Sequence, residues 1–359
     1  MQLAALPDAT EARITGLVPG AVVGLALGLE PGRVPVPGGA VLSLVPISMS
    51  PSVIADGHGR AMLRVRYPVG SSAGLAFLAQ AVVHDPRKTI GTAGSVTTLP
   101  VRQGIVPRAG DEADIVLFFG QSNCEGWASV AHLPVRLQGP HPMLRIWNGP
   151  VGEWQAVEAG RNTNMNPTLR YFGAEIGMAD SLGQRADPLW LVKIARSPSS
   201  LGPTPGPGNE WGAEAGELYA AMLQRLQHAG SALGALGLVP RVRLICMMQG
   251  ESDAANPELA KAYDGNLERL LGRLRSDLRA LGLVGNELPW VRLGLVNRDL
   301  VRVGLLGAPL VRAAQATVAQ ALADCDTIET TSFALLPDRI HFDVDGLLQM
   351  GRRFVAGRI

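Results

Sequence analysis

The sequence predicts a small all-β sandwich over residues 1–108, followed by an α/β domain over residues 109–359. The second domain is expected to have a mainly parallel sheet covered by helices on both faces. Three observations carry this expectation. The chain has 359 residues, more than the ~100–200 of one ordinary domain. Up to about residue 108, short apolar runs alternate with Gly/Pro turn signals and show no helical period. After Pro107-Arg108-Ala109-Gly110-Asp111, apolar runs alternate instead with stretches of helical period.

In the first part the apolar runs are 21–29, 41–47, 61–67 and 75–83. Glu30-Pro31-Gly32, Pro37-Gly38-Gly39 and Asp56-Gly57-His58-Gly59 separate them. Runs of this length, bounded in this way, suggest the strands of a β-sandwich or barrel. In the second part the candidate strands are 115–119, 189–194, 242–248, 290–296 and 326–330. Leu169, Phe172, Ile176, Ala179 and Leu182 recur at steps of three and four, and predict one helix between strands. Leu259, Tyr263, Leu267, Leu270, Leu274, Leu278 and Leu281 predict another. Each set makes a single apolar stripe. Strand alternating with helix implies a parallel sheet buried on both faces, with ligands at the carboxyl ends of the strands.

Composition narrows the function. Apolar residues make up 47% and charged residues 18%, enough to bury a substantial core. A net charge of +1 gives no ground for nucleic acid or an anionic membrane as partner. Cys124, Cys246 and Cys325 form no C-x-x-C pair or zinc pattern. His58, His84, His132, His141 and His228 sit in no ligand spacing, so no metal and no cofactor is expected. The N-terminus has no basic stretch leading into an apolar core, so no signal peptide is evident. No apolar run approaches the ~20 residues of a membrane span. The expectation is a soluble protein, cytoplasmic or external by a non-Sec or phage-like route, of open oligomeric state.

Three polar motifs stand out, two of them directly after candidate strands. Gly120-Gln121-Ser122-Asn123 follows 115–119, and Gln249-Gly250-Glu251-Ser252-Asp253 follows 242–248. Asp338-Arg339-Ile340-His341 precedes the last helical stretch. A serine hydroxyl becomes a nucleophile when a base takes its proton, and that base needs a third group to orient it. Ser122 at the end of a strand is placed to be such a nucleophile, His341 the base, and Asp338, three residues earlier, the orienting group. A tetrahedral intermediate also needs donors for its oxyanion. The Ser122 N–H and the Gln249 side-chain amide are candidates. Each motif alone is common as a turn, cap or chance pattern; their combination on one α/β domain points to chemistry.

The set resembles the SGNH hydrolase superfamily, and within it the carbohydrate esterases similar to sialate O-acetylesterases and acetylxylan esterases. The resemblance rests on Phe119-Gly120-Gln121-Ser122-Asn123, Met248-Gln249-Gly250-Glu251-Ser252-Asp253 and Asp338-Arg339-Ile340-His341-Phe342. It covers roughly residue 112 to the end. It implies a flavodoxin-like α/β/α sandwich that hydrolyses O-acetyl or other short acyl esters on a carbohydrate. It also implies Ser122 as nucleophile, His341 as general base and acid, Asp338 as orienter and Gln249 as oxyanion donor. Glu251 and Asp253 would then buttress the Gln249 loop.

One block departs from that family's pattern. After the candidate strand at 189–194, where the family usually has a Gly-Gly pair, the chain reads Arg196-Ser197-Pro198-Ser199-Ser200. Pro198 has no N–H to give, so the N–H of Ser197 or Ser199 would have to substitute. Around this centre, Gln121, Asn123, Glu251 and Trp211 are candidate substrate-binding residues. Trp211 could stack on a sugar or anchor its own Pro/Gly-rich loop, and Trp127 and Trp147 leave the same two readings open. Asn162, Asn164 and Asn166 could bind hydroxyls or cap turns. The alternative to an esterase is a catalytically weak or inactive glycan-binding protein, for which a phage-like particle is one setting. A lipid or thioester substrate is disfavoured, because the lipase-like branch usually has Asn where Gln249 stands.

Overall fold

A computed structural model describes the backbone of nine strands between residues 2 and 103 with short pieces near 19–24 and 53–63. It also describes residues 110–359, except 164–169, 183–186, 205–208, 213, 215 and the side chain of Pro142. The chain forms two compact units, the first holding Met1–Asp111 and the second most of the chain from Glu112 onward.

The strands of the first unit are β1 (Gln2–Leu6), β2 (Ala9–Ile14), β3 (Val22–Pro35), β4 (Val41–Met49), β5 (Val53–Ile54), β6 (Ala61–Arg66), β7 (Phe77–His84), β8 (Ser95–Thr97) and β9 (Val101–Gln103). One sheet has the order β1-β2-β6. The other has the order β4-β3-β7-β8, with β5 also on β3 and β9 also on β7. Every pairing is antiparallel.

The second unit runs β10 (Glu112–Gly120), α1 (Ser122–Glu125), β11 (Ala128–Ser129), β12 (His141–Asn148), β13 (Glu153–Val157), β14 (Tyr171–Phe172), α2 (Glu175–Ser181), β15 (Leu189–Ala195), α3 (Glu217–Ala235), β16 (Val239–Met248), α4 (Glu251–Ala254), α5 (Pro257–Lys261), α6 (Tyr263–Ala280), β17 (Trp290–Gly294), α7 (Ala308–Ala321), β18 (Cys325–Ile328) and α8 (Val344–Val355). Its central sheet has seven strands in the order β13-β12-β15-β10-β16-β17-β18. Only the edge strand β13 runs antiparallel. From β15 to β18 the strand order is that of flavodoxin-like sheets, with β10 first in sequence and second in space. The order reverses at β10, and the crevice beyond the carboxyl ends of β10 and β16 is the topological switch point.

The central strands read as continuous apolar runs because both their faces are covered. Val116 and Phe118 of β10 join Leu244, Cys246 and Met248 of β16 in a core shared with Ile176 of α2 and Leu347 and Phe354 of α8. By the two-residue period of a strand, Ile115, Leu117 and Phe119 face the other way, and they too are fully buried. Each such side chain contributes about 1.5–3 kcal/mol on burial. Gly120 ends β10 with φ at 151°, and a Cβ there would lie 1.9 Å from the Met248 carbonyl oxygen of β16. Only glycine lets the two strands stay paired to the point where the chain turns into Ser122.

Several sequence expectations need correction. The helix expected over 169–182 begins only at Glu175, because Tyr171 and Phe172 pair with β11 as β14; Leu169 lies outside the described residues. The helix expected over 259–281 is broken at Ala262 into α5 and α6. The side chain of Asn256 accepts from Glu258 N and Leu259 N and starts α5. The hairpin β12–β13 was not expected, because Pro142 and Arg145 interrupt its apolar pattern. Among the described residues no helix is long and apolar enough to cross a membrane.

Candidate active site

The three motifs meet at the carboxyl ends of β10 and β16. Ser122 opens α1 and is buried. The N–H groups of Cys124 and Glu125 bond to Gln121 O, while those of Ser122 and Asn123 belong to the first turn, which has no intrahelical acceptor.

Asn123 joins this turn to the histidine loop. Its Oδ1 accepts from Phe342 N at 2.9 Å, and its Nδ2 donates to Ile340 O at 3.1 Å. One side chain therefore holds both residues that flank His341. Nδ2 also donates to Glu251 Oε1 at 2.6 Å. Gln121 makes the matching link to α4, its Oε1 accepting from Gly250 N and Ser252 N.

Asp338 builds the turn that presents His341. Its Oδ1 accepts from Ile340 N at 2.9 Å and His341 N at 3.0 Å, and its Oδ2 meets His341 Nδ1 at 2.7 Å. Arg339 takes φ 59° to let the chain fold back, a left-handed conformation uncommon for a residue with a Cβ. Partial burial raises the Asp338 carboxyl, but the bonds from His341 and from the two backbone N–H groups outweigh it and hold the group below its usual range. No hydrogen bond joins Ser122 Oγ to His341 among the described residues. Such contacts are often long before substrate binds.

Gln249 directly follows β16. Its side chain is fully buried. Nε2 donates to Asp253 Oδ2 at 2.6 Å and to Ser199 O at 3.0 Å, while Oε1 accepts from Tyr263 Oη at 2.8 Å. Both amide hydrogens have protein acceptors, so Gln249 ties the 199–211 loop to α4. Gln315 supports the same region, its Nε2 donating to Gln249 O and its Oε1 accepting from Val296 N. Asp253 is pushed up to about 6 by burial, against the hydrogen bonds from Gln249 and the 201–202 backbone. Neither Tyr263 nor Gln315 carries a motif that marks it from sequence.

Three candidate substrate-binding residues are likewise bonded or packed within the protein. Asn123 and Glu251 are buried and bonded to each other. Burial raises the Glu251 carboxyl, only partly offset by the Asn123 bond and the charge of His341. Trp211 is fully buried, packs on Phe119 with ring centroids 5.1 Å apart, and donates from Nε1 to Ser199 Oγ. It anchors its loop and offers no face to a sugar. Ser197 lies two residues beyond the end of β15 and is half-buried, with no hydrogen bond from its N–H to another described residue.

Beneath α1, Lys193 donates to Glu125 O, Thr163 O and Glu175 Oε2 at 2.7–2.8 Å. Cys124 lies beside this pair, and burial pushes its thiol well up, the opposite of what a cysteine nucleophile needs. A cavity of about 260 Å³ opens next to it at the ends of β12 and β15, lined in part by Glu125, Trp147, Asn148, Asn162 and Arg225. Asn162 caps its own turn, its Oδ1 accepting from Glu158 N; Asn164 and Asn166 lie outside the described residues. Trp127, whose role the sequence left open, is exposed and lies flat against the His341 ring. Among the described residues no cluster of His, Cys, Asp or Glu could hold a metal ion.

No curated protein matches the chain. A solved structure of a protein from Arabidopsis thaliana is similar in fold, with 17% identity and a TM-score of 0.52 over 69% of this chain and 100% of that one. NanS aligns with 16% identity and a TM-score of 0.49 over 64% of this chain and 81% of its own. A carbohydrate acetylesterase family member from Sinorhizobium meliloti aligns with 13% identity and a TM-score of 0.37, over 67% and 94%. Residues 112–358 match the family described as carbohydrate esterase, sialic acid-specific acetylesterase, and the chain belongs to that family.

Proposed function

We propose that the second unit is a serine esterase that removes O-acetyl or other short acyl groups from a carbohydrate. The observation that carries this is the Asp338–His341 pair, 2.7 Å apart, fastened by Asn123 to the turn that begins with Ser122. Ser122 Oγ attacks the ester carbonyl while His341 Nε2 takes its proton. The oxyanion lies toward the Ser122 N–H, with the Ser197 N–H as second donor. The intermediate collapses, the C–O bond to the sugar breaks, and His341 returns the proton to the leaving sugar oxygen. Water, activated by His341, then hydrolyses the acyl-Ser122 ester and frees the acid. Asp338 keeps the proton on Nδ1, so Nε2 stays available as base. The family's description makes O-acetylated sialic acid the first substrate to try. The first unit, with its antiparallel sheets, fits an accessory β-sandwich that binds or attaches.

The test is hydrolysis of p-nitrophenyl acetate and of O-acetylated sugars by the purified protein. Ser122→Ala and His341→Ala are expected to lose about 10⁴-fold or more in kcat. Full activity in either variant overturns the proposal. The committed amide of Gln249 and the Ser197-Pro198 departure favour a second reading, a catalytically weak glycan-binding protein. Glycan binding unchanged by Ser122→Ala, with no turnover, would select it.

A further inference from the structure

Trp127 lies five residues beyond Ser122, just after α1, and is 41% exposed. Its ring is stacked on that of His341, with centroids 4.4 Å apart and planes 9° from parallel. One indole face is thus covered by the imidazole.

The other contacts of His341 leave a freedom that this stack removes. Asn123 fixes the backbone on both sides of the histidine, and Asp338 fixes the Nδ1 edge. A single bond at Nδ1 still lets the ring swing about the Nδ1···Oδ2 line. A flat partner at van der Waals distance does not. The stack also has an electronic consequence. When His341 accepts the serine proton it becomes a cation, and an indole face attracts a cation. The carboxylates that act on the same cation are Asp338, at Nδ1, and Glu251 of α4.

We infer that Trp127 is a positioning residue for His341, holding the plane of the imidazole and favouring the imidazolium formed as Ser122 attacks. The kinetic part of this inference rests on the esterase reading; the stack itself does not.

The experiment compares Trp127→Leu with Trp127→Phe. Leucine fills space without an aromatic face, and phenylalanine keeps the face. With p-nitrophenyl acetate, Trp127→Leu is expected to lower kcat about tenfold, the size of one cation–π contact, with KM within about twofold. Trp127→Phe should recover most of the loss. In the NMR spectrum of histidine-labelled protein, the His341 ring protons, assigned through His341→Ala, should move downfield in Trp127→Leu as the indole ring current is lost.

Leucine performing as well as phenylalanine overturns the inference. A rise in KM with kcat unchanged also overturns it, because the ring would then be binding substrate. Unmoved His341 protons would remove the stack. If the wild type shows no Ser122-dependent turnover while the protons shift as expected, the esterase reading fails and the kinetic role falls with it, with the stack intact.

Discussion

The Asn123 amide and the Glu251 carboxyl meet at 2.6 Å in the buried floor of the site, 128 residues apart in sequence. Through that amide the turn after β10 also grips both neighbours of His341. Asn123→Ala leaves Phe342 N, Ile340 O and Glu251 Oε1 without this partner. An unsatisfied buried polar group costs about 1–3 kcal/mol, and the three share one site, so a net loss of about 3 kcal/mol is expected in urea unfolding. If the clamp positions His341, kcat on p-nitrophenyl acetate should also fall by more than about tenfold under conditions where the variant is fully folded. A folded, fully active Asn123→Ala would show that the clamp has no part in placing the base.

How much of this was legible in the sequence depends on the kind of information. The position of Ser122 after a buried strand could be read from the apolar run ahead of Gly120, and the local Asp338–His341 pairing from a three-residue spacing. Which polar side chains face solvent could not. Gln249, Asn123 and Glu251 look like ligand-binding residues in their motifs, and Trp211 like one in a Pro/Gly-rich loop. Their partners Ser199, Tyr263, Phe342 and Phe119 are distant or carry no motif, and only the fold brings them near. The β12–β13 hairpin was hidden because Arg145 is buried in it, against the usual preference of arginine for the surface. Trp127 was ambiguous for the same reason: stacking on His341 depends on two loops that the sequence separates by more than two hundred residues.

Lys193 and Glu175 form a buried ion pair 2.8 Å apart under α1. All three ammonium hydrogens have acceptors, and Glu175 Oε1 also accepts from Gly173 N. Lys193→Met strands the Glu175 charge in the core and removes the strut beneath Glu125. The expected destabilisation is about 3–5 kcal/mol, read as a lowered urea midpoint. Adding Glu175→Gln removes the stranded charge and keeps an acceptor for Gly173, so the double variant should be more stable than Lys193→Met alone. A double variant that is less stable would mean that Glu175 has another source of compensation in the fold.

Asp253 gives the site a pH dependence of its own. Its carboxyl accepts from Gln249 Nε2 and Leu201 N, yet burial dominates and pushes it up to about 6 from an ordinary 3.8. Between those two values the folded chain holds a proton that the unfolded chain has released. The unfolded state then binds fewer protons, so this group's contribution to stability falls as pH rises. The favourable difference is fully present below about pH 4 and is lost by about pH 6. The shift corresponds to about 3 kcal/mol over that window. Carboxylates with lowered values, Asp338 and Asp326 among them, act in the opposite direction, so the wild-type profile alone does not isolate Asp253. The difference between Asp253→Asn and wild type does. Asparagine presents an N–H to Gln249 in place of an acceptor oxygen, a cost that is the same at every pH. On top of that constant cost, urea unfolding should show the variant comparing better with wild type at pH 7.5 than at pH 4.5, by about 2 kcal/mol. Parallel stability curves would mean that Asp253 titrates alike in the folded and unfolded chain, and that the Gln249 loop holds its carboxylate without an electrostatic penalty.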